Sequence, residues 1–302
     1  MRIVFMGTPA FAVPSLEILI ENGYDVVGVI TSTDKMGGRG NKTLLESDVK
    51  KYAQSKGLKI LQPKNLKSPA FVEELRELKA DLQIVVAFRM LPEIVWNMPP
   101  IGTFNLHGSL LPKYRGAAPI NWAVINGDAE TGVTTFFLKH EIDTGNLLFQ
   151  SKLPIDENET VGEVHDKMME LGSNLVLKTV KAIENKDYEA QVQDESLVSH
   201  APKVFHKTCQ VNFNQPTLQV HNFIRGLSPY PTAWTMLGDK KLKLFRTLKE
   251  IESHEHEVGS FHSDNKTFVK IATTDGYIQL LELQLQGRKR MKVKDFLNGY
   301  SF

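Results

Sequence analysis

At 302 residues, with 41% hydrophobic and 24% charged residues and a net charge of +1, the chain has globular composition and enough length for two domains, which excludes a disordered or fibrous protein. The charge is uneven: from Lys203 onward there are 15 Lys+Arg against 9 Asp+Glu, net +6, while residues 1–202 carry net −5. Cys209 is the only cysteine, which excludes an intrachain disulfide and a thiolate metal cage and suits a reducing compartment. The apolar run after Arg2 stops at Gly7-Thr8-Pro9, too short for a signal-peptide core, and no stretch approaches membrane-spanning length. A soluble, cytoplasmic protein without a membrane partner is expected.

Residues 3–6 read as a buried strand, 14–21 as a helix stopped by Asn22-Gly23, and 26–31 as the next strand. The intervening turn lacks the G-x-G-x-x-G spacing that brings backbone amides to a pyrophosphate, so no dinucleotide cofactor is indicated. Residues 33–42 are glycine-rich and aperiodic, an expected exposed loop whose Lys35, Arg39 and Lys42 suit an anionic substrate. A helix over 44–55, a strand at 59–61, a helix over 69–79 capped by Ser68 and an apolar strand over 82–87 continue the β/α alternation. The fold class is therefore α/β, with an N-terminal Rossmann-like, mostly parallel sheet and helices on both faces.

The stretch 102–120, GTFNLHGSLLPKYRGAAPI, stands out. Phe104 and Leu106 alternate with Asn105 and His107, so the polar pair shares one face of a strand that Gly108 then ends. That places both at a strand's carboxyl end, where open α/β sheets bind ligands. After a second strand over 133–138, the loop His140 to Gly145 brings an acid, Asp143. Asn105 and His107 can donate to an oxyanion while Asp143 orients His107 or takes a proton, a set suited to direct transfer. Ser109 does not fit the G-x-S-x-G elbow of a Ser nucleophile.

Thr160 to Glu163 is a capping box opening a long helix with apolar residues at helical spacing. The pattern turns irregular after Asn185, giving an expected catalytic domain over 1–186, a linker over 187–206 and a second domain over 207–302. In the last, a helix over 219–225 precedes short alternating strands around Leu242, over 268–273 and over 281–285, expected to form a small OB-like β-barrel. His254 and His256 lack a third ligand nearby, so no metal is expected.

The Asn105-x-His107 motif with SLLPKYRGAAPI and Asp143-Thr144-Gly145 resembles the folate-dependent formyltransferase family, and similarity extends through FMGTPAFAVPSLEIL, Ala201-Pro202-Lys203, Ile224 to Pro231 and Asp295 to Gly299. Within that family the likeness is to the members that act on methionyl initiator tRNA. The resemblance implies an enzyme of translation initiation, with 10-formyltetrahydrofolate as formyl-donor substrate, the α-amine of methionyl initiator tRNA as acceptor, and Asn105, His107 and Asp143 as catalytic residues. It places the folate against Phe88, Arg89, Met90, Leu91, Leu138, His140 and Ile142, with Ser109, Leu110, Leu111 and Pro112 alongside. The tRNA would meet Lys35, Arg39, Lys42, Lys203, Arg246, Arg288, Lys289 and Arg290, and the enzyme would act as a monomer. Formylation of an amino-sugar nucleotide is the alternative chemistry, and a non-catalytic RNA-binding protein the alternative class.

Overall fold

The structure is a computed structural model describing every residue of the chain except Arg39 and Asn41, so the expectation at Arg39 lies outside the described residues. The chain divides into two compact units: Met1–Arg115 with Gly132–Lys152 and Asp166–Ser199, and Gly116–Thr131 with Leu153–His165 and His200–Phe302.

In chain order the first elements are β1 (Arg2–Gly7), α1 (Val13–Glu21), β2 (Asp25–Ile30), β3 (Lys35–Gly37), β4 (Thr43–Leu45), α2 (Asp48–Ser55), β5 (Ile60–Leu61), α3 (Pro69–Glu77), β6 (Leu82–Val86), α4 (Glu93–Trp96) and β7 (Gly102–His107). Then come β8 (Arg115–Gly116), α5 (Pro119–Ile125), β9 (Glu130–Phe137), β10 (Leu147–Pro154) and α6 (Val161–Asn185). The main sheet runs β10-β9-β7-β6-β1-β2-β5, with β7, β6, β1, β2 and β5 mutually parallel and β9 antiparallel to β7.

Strands β1 and β6 are buried on both sides, which is why they read as continuous apolar runs. On one face Val4, Met6 and Val85 pack with Phe71 and Leu75 of α3 and Val95 of α4. On the other, α6 approaches so closely that a Cβ on Gly172 would lie 2.8 Å from Leu106 of β7. Thr135 and Thr179 share a buried hydrogen bond of 2.9 Å there. Helices thus cover both faces.

Two local expectations change. The helix expected over 44–55 begins at Asp48, because Ser47 caps it by accepting from the Lys50 amide at 3.1 Å. Leu44 and Leu45 instead join β4, which pairs antiparallel with β3, a strand within the stretch 33–42 expected as an exposed loop. Buried Lys50 ties together the two flanks of this strand pair, donating to Asp34 and, at 2.6 Å, to Glu46, and its hydrogen bond to Asp34 leads in raising its pKa. Ser68 makes no side-chain cap bond, and α3 starts with Pro69 in its first turn. Strand β10, not anticipated, adds the sheet's last neighbour.

The second unit contains the opening of α6. Thr160 N donates to Glu163 at 2.9 Å, and the Glu163 amide faces Thr160 Oγ1 at 3.4 Å, the reciprocal bonds of the expected capping box. Burial pushes the Glu163 carboxyl up, but the Thr160 amide, the Arg246 guanidinium and the Thr160 hydroxyl outweigh it and hold its pKa at about 2.

The remaining elements are β11 (His200–Ala201), α7 (Thr217–Arg225), β12 (Ala233–Leu237), β13 (Lys240–Ile251), β14 (Phe261–Ser263), β15 (Val269–Ala272), β16 (Gly276–Leu285), β17 (Met291–Lys292) and α8 (Val293–Leu297). Strands β12-β13-β16-β15-β14, with β17 beside β16, form an antiparallel sheet. Register shifts in β13 around Arg246 are the kind of irregularity that bends a strand, and the sheet curls into a half-barrel. Its core joins Leu242, Leu244, Ile278 and Leu283 to Val220 and Ile224 of α7.

His221 on α7 is 1% exposed, with Nδ1 3.0 Å from Thr247 Oγ1 and Nε2 without a partner among the described residues. Burial, and then the charge of Arg225, lower its pKa to about 4. Between about pH 6.5 and 4 the unfolded chain therefore takes up a proton that the native state refuses. Stability should fall as pH drops through that window, by up to about 3 kcal/mol. Urea unfolding at pH 7 and pH 5 should show the loss in the wild type and a much smaller one in His221→Leu; equal losses would contradict this.

Candidate active site

Strand β7 carries Asn105 and His107 on the same face as Val85, its cross-strand partner being paired with Asn105. The strand order changes direction between β1 and β6, and the segment after β6 leads straight into Phe88 and Leu91. This is the switch-point position at which doubly wound sheets open a crevice.

His107 is 6% exposed and packed edge-on against Phe136, with ring centroids 6.5 Å apart. Its Nε2 lies 2.9 Å from the Tyr114 carbonyl oxygen, an acceptor only, so this nitrogen carries the proton. The remaining nitrogen, Nδ1, faces Asp143 Oδ2 at 3.8 Å. That separation exceeds a direct hydrogen bond. Asn105 is half-buried, and its amide makes no hydrogen bond among the described residues. His107 and Asp143 thus face each other, with Asn105 two residues earlier on the same strand face.

Asp143 has a left-handed backbone, φ +56°, unusual for a residue with a side chain. The turn is tight because a Cβ on Gly145 would lie 1.6 Å from the Phe137 carbonyl oxygen, so only glycine fits. Gln193, 4% exposed, donates from Nε2 to both the Asp143 and Gly145 carbonyls at 2.8 Å. Gln193 was not anticipated, since it belongs to the stretch expected as linker.

The expected folate walls divide. Phe88, Leu91 and Leu138 are half-buried against one core cluster, while Met90 is 71% and Ile142 60% exposed, giving apolar surface with a firm base. His140 is exposed. Arg89 turns to the backbone, donating to the carbonyls of Pro63 and, at 3.0 Å, Lys64, which latches its loop. Ser109 and Leu111 are buried, and Ser109 Oγ donates to the Lys113 carbonyl at 2.6 Å, which shapes their loop. Leu110 and Pro112 are half-buried.

The basic set also divides. Lys35, Lys42, Lys203, Arg288 and Lys289 are exposed, with Arg288 Nη2 3.4 Å from the Gly299 carbonyl. Arg246 pairs with Glu163 at 2.5 Å, and Arg290 pairs with Glu282 while lying over the Phe245 ring. His254 and His256 are engaged by the Gly276 carbonyl and the Tyr277 hydroxyl, at 2.9 and 2.6 Å. Among the described residues there is no group of His, Cys, Asp and Glu suited to a metal, and no helix is long and apolar enough to cross a membrane.

Residues 1–180 match the family model described as formyl transferase, and residues 203–301 match the model of its C-terminal domain. Over 310 residues the chain is 56% identical to the methionyl-tRNA formyltransferase of Parabacteroides distasonis, covering 99% of this chain and 96% of the relative. It is 58% identical, with the same coverage, to that of Phocaeicola vulgatus. Among solved structures, an N-formyltransferase from Helicobacter canadensis in complex with folinic acid and dTDP-3-aminofucose has a TM-score of 0.72 at 23% identity, over 96% of this chain and 100% of that one, a likeness of fold alone. With both family models matched and curated relatives above half identity along nearly the whole length, the chain belongs to the formyl transferase family, among the methionyl-tRNA formyltransferases.

Proposed function

We propose that this enzyme transfers the formyl group of 10-formyltetrahydrofolate to the α-amine of methionyl initiator tRNA, for translation initiation. Residues 1–186 would carry the chemistry and 207–302 would hold the tRNA, joined by 187–206, with the enzyme acting in the cytoplasm as a monomer. The observation that carries the reading is the arrangement of His107: Nε2 is held by Tyr114, Nδ1 faces Asp143, and the Asn105 amide lies on the same strand face.

The neutral amine attacks the formyl carbon, and the carbonyl oxygen gains negative charge. Asn105 donates to that oxygen, and His107 as imidazolium donates from Nδ1, each donor supplying a few kcal/mol of transition-state stabilisation in comparable sites, about 3. Asp143 accepts the proton that the attacking nitrogen loses, directly or through one water. As the bond from the formyl carbon to folate N10 breaks, Asp143 passes that proton on to N10, which leaves as the neutral N–H amine of tetrahydrofolate. Met90 and Ile142, both exposed, suit the apolar faces of the folate ring system, while Lys35, Lys42, Lys203, Arg288 and Lys289 suit phosphates.

The purified protein, given 10-formyltetrahydrofolate and methionyl initiator tRNA, should release tetrahydrofolate and formylmethionyl-tRNA in equal amounts. Tetrahydrofolate without formylated tRNA, or neither product, would defeat the reading.

A further inference from the structure

Gln193 has every hydrogen-bonding capacity of its amide filled. Its two N–H groups go to the carbonyls of Asp143 and Gly145, and Oε1 accepts from Arg115 Nε at 3.0 Å and Nη2 at 2.7 Å. Only one orientation of the amide satisfies these partners, because two carbonyls lie on one side and a guanidinium on the other. Arg115 is 7% exposed and turns its remaining donors to Glu195 as a two-point pair, 2.8 and 3.1 Å. The Arg115 amide is held by the Ser199 carbonyl and the Tyr114 amide by the Ser199 hydroxyl, both at 2.9 Å. Tyr114, at φ +61°, supplies the carbonyl that holds His107. Gln191 pairs with Leu147 in both directions, which fixes Gln193 in register.

One buried contact, Gln193 on Arg115, therefore lies between the backbone that orients His107 and the backbone that carries Asp143. Both of those backbones hold a non-glycine residue at positive φ, a conformation that persists only where its surroundings enforce it. We propose that Gln193 is a positioning residue for formyl transfer, with Arg115 as its anchor: it sets the Asp143 carboxylate against His107 Nδ1 without touching either substrate. This rests on the function proposed above.

The test is Gln193→Glu. A carboxylate keeps Arg115 paired but has no N–H for the Asp143 and Gly145 carbonyls, which it repels. The kcat for formyl transfer should fall by about ten- to a hundredfold, the penalty of a displaced catalytic group, with both KM values within about threefold of wild type. In the protein without substrates, hydrogen exchange of the peptide covering residues 141–147 should quicken at least about tenfold while the half-barrel stays protected. Arg115→Lys keeps the charge but loses the planar grip on Oε1, so it should move both readouts the same way by less, and it serves if Gln193→Glu does not fold. Unchanged kcat overturns the proposal whether or not exchange changes, and unchanged exchange with lowered kcat overturns it as well. If the wild type itself makes no formylated tRNA, the functional reading fails and the role in transfer goes with it, while faster exchange in the variant would still establish the contact as a loop clamp.

Discussion

Replacing His107 with Ala should lower kcat by about 10²–10³-fold, the cost of losing one preorganised donor at a developing oxyanion. The structure specifies which atom matters. Nε2 is held at 2.9 Å by the Tyr114 carbonyl, so in the proposed mechanism the donor would be Nδ1, on the Asp143 side. Asn105→Ala should lose a similar factor through the other donor. The two together should lose less than the product of the single losses, since groups acting as a unit are not additive. Steady-state rates with both substrates saturating, beside circular dichroism to verify folding, check this. Near-normal turnover in either single variant would remove that residue from the mechanism.

Gly145→Ala should have the second large effect, and by a different physical route. The added Cβ would sit 1.6 Å from the Phe137 carbonyl oxygen and 2.9 Å from Phe136 Cδ2, and the first neighbour is backbone that cannot swing aside. The turn carrying Asp143 must therefore move, costing about 3 kcal/mol of stability by analogy with overpacked cores, and turnover should fall with it. Gly259→Ala is the control. That glycine has φ +88° with nothing near its missing Cβ, so only backbone strain of about 1 kcal/mol is expected, and turnover should stay at the wild-type level. Denaturant midpoints and kcat for the pair give the comparison; equal effects would show that the turn relieves the clash at Gly145 at little cost.

Much of this was legible in the sequence because the signal was local. The alternation of Phe104 and Leu106 with Asn105 and His107 is a period-two pattern, and it fixed both the strand and the shared face. The Thr160–Glu163 box sits within one helical turn, so the start of α6 could be read directly. The pairing of β3 with β4 was not legible, since strands of three residues among glycines carry no period, and Leu44 and Leu45 imitate the first apolar turn of a helix. Strand β10 is LLFQSKLP, with a weak alternation and a terminal proline.

Long-range partners were the other blind spot. Gln193 meets carbonyls 48 and 50 residues away and a guanidinium 78 away, and no motif marks a residue whose partners are backbone groups so remote. Arg246 looked like a free cation because Glu163 is 83 residues distant in sequence. Charge counts give the sign of a surface, while the carboxylates that neutralise it are chosen by the fold.

The measurement that bears most directly on the central claim is the initial rate of formyl transfer from 10-formyltetrahydrofolate to three acceptors: methionyl initiator tRNA, methionyl elongator tRNA and an amino-sugar nucleotide. Rapid formylation of the initiator tRNA, with the other two at least about a hundredfold slower, is the predicted result. Turnover confined to the sugar nucleotide would contradict it, leaving Asn105, His107 and Asp143 in a working formyltransferase whose acceptor had been misread.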